Sequence, residues 1–425
     1  MTRQDFIKLA GGGLIGAVGK VGKCTESPVL ARGRTAGTVP PRNPHPYASV
    51  DWAQVVRVNT TSHGHCESQK MLDAYVKRGF GLLTISNYYP SAPRLPGRTM
   101  TKDHFLFHQR HKVNYRGRWV DPPADWNAVI SSHPELVDSS VRSQLPLIER
   151  GELMFPNWPE GMLEAPNAEH HTFFHRTGTQ EDVMLHLCAP GSAFASGTFD
   201  KWGLMGTKAQ GWSPGCGEFW GTSIDRMIDG LVVKGGGGVT INHPTWSQLD
   251  RALILDLLDW DPRVLGMEVL EAGHNSEHYW DWVLATGRQC FGFFVPDWSI
   301  GNDVFGVNVL LVKEKTVEAC LMAYRRGDFY GAAHGLGELS FTSIEFDGKT
   351  VSATVDRPAK LEVKTARGIV KTAVGTQIAW EVPEHREWQG PITDVFARIK
   401  AYSIDGAGEE LFSQPFMLGG SQKVW

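Results

Sequence analysis

The chain has little net charge: 42 basic against 46 acidic side chains leave −4 over 425 residues. That balance gives no whole-molecule field for holding a nucleic-acid backbone, so no nucleic-acid partner is expected and any charged ligand must be recognised locally. Cysteine is sparse as well. Six are scattered with no C-x-x-C pair, which excludes a zinc ribbon and a thioredoxin-like redox motif. There is no G-x-S-x-G elbow and no G-x-x-x-x-G-K-[ST] loop, and the GGGG run at 235–238 lacks a strand–turn–helix setting. Serine hydrolases, P-loop enzymes and Rossmann dehydrogenases are therefore disfavoured. Past the N-terminus no stretch of about 20 apolar residues occurs, so no membrane span is expected in the mature chain.

What is present begins with MTRQDFIKLAGGGLIGAVGKVGKC at 1–24, a basic start followed by the short apolar run Leu9–Val18. This is the pattern of an export signal, with Gln4 where a twin-arginine signal carries its second arginine, and it predicts a periplasmic or extracellular protein. Residues 25–50, rich in Pro, Arg, Gly and Thr, read as a linker. From 51 to 333, strand-like runs (WAQVVRVNT, GLLTIS, GVTINHP, VLGMEVLE, CFGFFVPDW, FGVNVLLV) alternate with segments of helical periodicity. Such alternation predicts βαβ units and a parallel α/β sheet or barrel. From 334 to 425 the runs are short, β-branched and separated by Gly, Asp or Pro, as in a small all-β sandwich.

The chemistry sits at strand ends. His63 and His65 follow VVRVNTTS, His243 ends GVTIN, Glu271 ends GMEVL and Asp297 ends CFGFFVP. Parallel α/β folds gather strand C-termini at one mouth, so residues far apart in sequence meet there. In extended backbone i and i+2 project to one side, which lets His63 and His65 offer two nitrogens to one ion.

These motifs carry a family resemblance. HGH after the first strand, NHP after a later one, MEVLEAGHN on the next and WVLATGRQCFGFFVPDW on the next again resemble the PHP (polymerase and histidinol phosphatase) superfamily of metal-dependent phosphoesterases. The resemblance implies a distorted seven-stranded β/α barrel with divalent metals at the strand C-termini. It assigns His63 and His65 to the first H-x-H, His243 to the histidine before proline, and Asp297 to the final aspartate. The family's intervening glutamate and histidine fall in NWPEGMLEAPNAEHHTFF, as Glu160 or Glu169 and His171 or His170, with Glu160 and His171 favoured. Asp297, His243 and Glu160 are the implied catalytic residues. The set would bind one or two ions of Zn, Mn or Fe, since nitrogen-rich sites disfavour Mg. The chain departs from the family at Ser86 and Asn87, where Asp-His is usual, and at Ser299, in place of a histidine.

A basic insertion at about 91–125, with Arg94 and Arg98, suits a small anionic substrate such as a phosphoester or an acidic sugar. Asn87, Asn275 and Trp298 are further candidates to line the pocket. The expected activity is hydrolysis of a phosphoester by a metal-activated water. The alternatives are a degenerate, non-catalytic barrel that binds carbohydrate or a partner, and an amidohydrolase-type metal enzyme.

Overall fold

Capping and burial explain where the helices begin and end. The computed structural model describes residues 45–87, 96–100, 113–115, 118–120, 153–175, 182–194, 220–301, 306–333, 339–384, 394–405 and 408–418. In chain order the elements are β1 Val56–Thr60, α1 Gln69–Lys77, β2 Leu82–Leu83, β3 Val113–Tyr115, β4 Arg118–Val120 and β5 Leu163–Glu164. There follow β6 Glu169–His175, β7 Asp182–Cys188, α2 Trp220–Asp229, β8 Val239–Ile241, α3 Arg251–Trp260 and β9 Val264–Glu271. Next come β10 His274–Asn275, α4 Glu277–Ala285, β11 Phe291–Val295, β12 Gly306–Val312, α5 Val317–Arg326 and β13 Phe329–Ala333. The last strands are β14 Phe341–Phe346, β15 Thr350–Thr365, β16 Gly368–Glu381, β17 Phe396–Ser403, β18 Glu410–Phe412 and β19 Phe416–Met417.

Ser68 starts α1 by accepting from the amide of Met71, and the helix buries Leu72 and Tyr75. Thr316 does the same for α5, which Gly327 ends in the left-handed conformation at φ +77°. Strands β9, β11 and β12 are buried along their whole length, as their continuous apolar runs require.

The strands form two main sheets. One is mixed, ordered β10-β9-β8-β7-β6 with β11 on β9; its β8, β9 and β11 are parallel. β6 and β7 are antiparallel, against the expectation of a parallel sheet, because the segment between His175 and Asp182 is too short for a crossover helix. The other sheet has nine strands and is antiparallel, ordered β1-β12-β13-β18-β17-β15-β14 with β16 on β15 and β19 on β17. All described C-terminal strands belong to this one sheet, where two packed sheets were expected. β13 is joined to them through Gly331 opposite Phe412, which covers an edge that would otherwise lie open. TVSATVD and AKLEVKTA are one strand, β15, whose register shifts between Thr354 and Ala359, around the proline at 358.

Among the described residues the strands do not close into a barrel. Their ends are nevertheless linked by loop backbone. The amide of His65 donates to the Asp297 carbonyl at 3.1 Å and that of Asp297 to His63 at 3.2 Å; Ser86 donates to Gly64 at 3.0 Å, Glu169 to Ser86 at 2.9 Å and Asn242 to His186 at 3.1 Å. This lateral run draws the ends of β1, β2, β6, β7, β8 and β11 to one place. No described helix is long and apolar enough to cross a membrane. The four described cysteines, Cys66, Cys188, Cys290 and Cys320, are buried, and no disulfide joins them.

Candidate metal centre

The His63–His65 segment is held before any side chain of the centre is considered. Thr61 Oγ1 accepts from the His63 amide at 3.0 Å and donates to its carbonyl at 2.7 Å. Tyr75 donates its hydroxyl to the His65 carbonyl at 3.1 Å. Gly64 is needed for close approach: a Cβ there would collide with the Tyr75 hydroxyl and lie 2.9 Å from Thr61 Cγ2. Beneath, Asn167 donates to the carbonyls of Ser62 and Thr84 and accepts from the Ala189 amide. Three strand ends are tied by that one side chain.

On this frame the side chains converge. His63 Nε2 lies 3.1 Å from Asp297 Oδ1 and 3.5 Å from Glu169 Oε2. His65 Nε2 lies 3.1 Å from Glu169 Oε2 and 3.3 Å from Asp297 Oδ1. The other Glu169 oxygen, Oε1, is 2.6 Å from His186 Nδ1 and 3.5 Å from His243 Nε2. Glu169 thus stands between two sets of imidazoles, one oxygen toward each. His63, His65 and Asp297 form one group with ligand atoms close enough to share an ion, and His63, Glu169 and His243 form another; all are buried.

Two further contacts orient the rings. Glu268, fully buried, accepts from His63 Nδ1 at 2.8 Å and from the His243 amide at 2.7 Å. His63 is left with Nε2 alone to face the centre, the arrangement by which carboxylates hold metal-ligating histidines. His243 Nδ1 is 2.9 Å from Ser247 Oγ, so its Nε2 also points inward. The backbone is strained at the same place: His243 has φ +29° and Asp297 φ +48°. Non-glycine residues hold such angles only where the surroundings impose them.

Electrostatics follow from burial and neighbours. Burial opposes protonation of His63, yet Cys188, Asp297, Glu268 and Glu169 around it raise its pKa well above the usual histidine value. For His65, burial again opposes, and hydrogen bonds to Asp297 and Glu169 win. Burial would raise Glu169 and Asp297, but the imidazoles hold both well below the usual carboxylate range. His186 goes the other way, lowered by burial. His63 Nε2 and Asp297 Oδ1, both buried, face each other at 3.1 Å. A nitrogen and an oxygen so placed suit a shared divalent cation, as does the mixed donor set.

The favoured sequence assignment needs correcting here. Glu160 is exposed, in the turn that precedes β5, and does not join the cluster; Glu169, at the start of β6, does. His171 lies on β6 opposite His186, and its side chain is outside the described residues. The second-strand positions serve the backbone: Ser86 Oγ accepts from the Gly64 amide at 2.9 Å, and Asn87 exchanges hydrogen bonds with both Cys66 backbone groups. Asn87, expected to bind substrate, is thus a clamp on the HGHC loop. Ser299 Oγ donates to the Pro296 carbonyl. Asn275 is exposed and accepts from the Glu277 amide at 2.8 Å, in the turn that leads into α4. Arg98 donates to the Met162 carbonyl, and Arg94 lies outside the described residues, as does most of the basic insertion. Glu271 is buried but outside both ligand groups. Cys66 is buried with its thiol pKa pushed up by desolvation, as befits an inert thiol.

Sequence reasoning passed over His186 and Glu268. Each carried a signal: His186 is a polar residue inside the apolar run VMLHLC, and Glu268 is an acid in the middle of a fully buried strand.

No family model matches the chain. No curated protein matches it either. Among solved structures it is similar to a two-domain protein from Bacteroides vulgatus ATCC 8482 described as containing a predicted PHP-like metal-dependent phosphoesterase. The identity is 10%, with 85% of this chain and 94% of that chain covered and a TM-score of 0.38.

Proposed function

We propose that this chain is a metal-dependent hydrolase of the PHP type that acts on a phosphoester. The observation that carries the reading is Glu169, one oxygen toward His63 and His65, the other toward His186 and His243. In this reading His63, His65 and Asp297 would hold one divalent ion, and Glu169 and His243, with His186 beside them, would hold a second. The nitrogen-rich donor set favours Zn, Mn or Fe.

Charge supports two ions over one. Glu169, Glu268 and Asp297 are the buried carboxylates of the centre. A single divalent ion leaves them net negative, which repels a phosphate; two leave the pocket net positive. Bound ions of this kind polarise a phosphoryl oxygen and bring the pKa of a bound water to about 7. The chain's own part is to fix the geometry. Glu268 locks the His63 tautomer, Ser247 orients His243, and Asn87 and Tyr75 hold the loop that carries His63 and His65. Arg94 is proposed to neutralise the anionic substrate.

The test is elemental analysis of purified protein alongside a panel of phosphomonoesters and diesters. Two equivalents of a transition metal and metal-dependent turnover, both lost in His63→Ala, are expected. Protein that carries no divalent metal and hydrolyses equally well as His63→Ala would sink the reading.

One observation favours a second reading, binding without turnover. Ser86, Asn87 and Ser299, where the family's further ligands stand, hydrogen-bond backbone instead. Metal-dependent turnover of any phosphoester eliminates it.

A further inference from the structure

We infer that Gln414 is a positioning residue for the candidate metal centre: from the C-terminal strands it sets where Asp297 stands relative to His63 and His65. The inference rests on the metal-binding reading of that centre and deepens it by naming what registers its two halves.

The centre straddles two sheets. His63 and His65 follow β1 of the antiparallel sheet, whereas Glu169, His243 and Asp297 begin or follow strands of the mixed sheet. Atoms from both can share an ion only if one sheet is held against the other to within about 0.5 Å.

β11 lies at the join. On one side it pairs with β9; on the other, among the described residues, no strand is laddered to it. Side chains meet the backbone there instead. Gln414, fully buried, accepts from the Gly292 amide at 2.8 Å and donates to the Gly292 carbonyl at 2.9 Å, the two bonds that an antiparallel neighbour would make. Two residues on, the Phe294 amide donates to Asn308 Oδ1 of β12 at 2.9 Å. Two further on stands Pro296, which has no amide to satisfy, and the next amide, that of Asp297, reaches the His63 carbonyl at 3.2 Å. This side of β11 is therefore tied to the other sheet and its loops from Gly292 to the turn that carries Asp297.

The sheets meet at β11 through glycines. A Cβ at Gly306 would lie 2.5 Å from the Val295 nitrogen, and one at Gly331 would lie 2.0 Å from the Phe294 ring. Gln414 is itself fixed: its amide donates to the Tyr47 hydroxyl at 2.6 Å, and that hydroxyl donates to the Phe329 carbonyl at 2.8 Å. An amide on a loose segment would satisfy Gly292 wherever β11 happened to lie. One whose own backbone is tied to the start of β13 holds β11 at a single height.

The test uses full-length protein and cobalt(II), whose visible bands report the geometry of its ligands. Gln414→Met keeps the volume and removes both bonds to Gly292; Gln414→Glu keeps an acceptor for the Gly292 amide. Arg398→Met, which breaks buried ion pairs with Glu277 and Asp281, controls for lost stability alone. Gln414→Met is expected to weaken cobalt binding about tenfold and to shift its bands. In metal-free protein it should speed hydrogen exchange at the amides of His65 and Asp297 about tenfold relative to those of α1. Gln414→Glu should fall between it and the wild type, and carries the comparison should Gln414→Met fail to fold. Arg398→Met should change none of these readings. Unaltered bands and unaltered exchange at the two amides in the Gln414 variants overturn the inference, even if stability falls. So does an Arg398→Met protein that matches them. A wild type that binds no cobalt, with exchange still quickened in the Gln414 variants alone, would instead sink the metal reading and leave the role of Gln414 standing.

Discussion

Two buried clusters of charge among the described residues are built on different cations. Where α4 meets β17, Arg398 is fully buried, 2.5 Å from Glu277 Oε1 and 2.7 Å from Asp281 Oδ1, with its guanidinium 4.7 Å over the Trp280 ring. Lys364 reaches Asp281 at 2.6 Å, and Lys400 approaches Glu277 at 3.5 Å. Arginine and lysine keep their charge at any ordinary pH, so the carboxylates of this network keep their cations. At the candidate metal centre the positive partners seen for Glu169 and Asp297 among the described residues are imidazoles, which, unlike a guanidinium or an ammonium, can give up their proton to take a metal ion. The first cluster joins an element to a sheet; the second has a donor set that could hold a metal ion in place of its protons.

The largest effect expected is at the first cluster. Arg398→Met leaves Glu277 and Asp281 short of their central cation and should cost about 3–5 kcal/mol in chemical denaturation. Metal bound per folded molecule should not change; loss of metal in that variant would erase the distinction between the clusters.

Acid and alkali separate them next. Despite burial, Arg398 and the neighbouring lysines pull the Glu277 pKa down to about 2. Its contribution, about 3 kcal/mol, is whole above the unfolded value near 4.5 and is lost as pH falls toward 2. Glu169 and Asp297, also depressed, lose theirs in acid too. His63 and His65 have raised pKa values, so what they contribute is present below about pH 6.5 and lost as pH climbs through the raised values. Metal-free protein should therefore weaken on the alkaline side as well, and metal-loaded protein should not. Denaturation midpoints taken across pH with and without a chelator decide this.

Metal should stabilise only through the second cluster. At a free concentration about 100 times the dissociation constant, an ion adds roughly 2.7 kcal/mol, and Asp297→Asn should abolish that gain. Glu268→Gln should keep the fold but weaken metal binding by about 10–100-fold, because the His63 tautomer is no longer dictated. An unchanged affinity would show that Glu268 orients nothing. The smallest effect belongs to Asn275→Ala, which removes one side-chain acceptor from the turn before α4 and should cost about 1 kcal/mol or less with no change in turnover. A drop in catalysis without a drop in stability would return Asn275 to the site.

Much of this was legible in the residues. The apolar runs at β9, β11 and β12 and the capping signals of α1 and α5 announce themselves locally, since burial on both faces and end-capping leave marks on adjacent positions. His63, His65, His243 and Asp297 stood at strand ends, where placement follows from a run's end. Glu160 misled because spacing along a chain does not say which acid begins a strand and which lies in the turn before it. At Asn87 and Asn275 the sequence does not show the backbone hydrogen bonds they make, because an amide that clamps backbone and one that binds a ligand look alike.

The sequence by itself determined which segments are buried, where they turn, and that several histidines and acids stand where strands end, because each of these depends on neighbours in the chain. Only the tertiary structure decided that Glu169 rather than Glu160 stands among the imidazoles, that His186 and Glu268 join them, and that the C-terminal strands extend the sheet of β1, β12 and β13. Those outcomes depend on lateral hydrogen bonds between strand ends remote in sequence, and no local pattern encodes which partner a free edge will find.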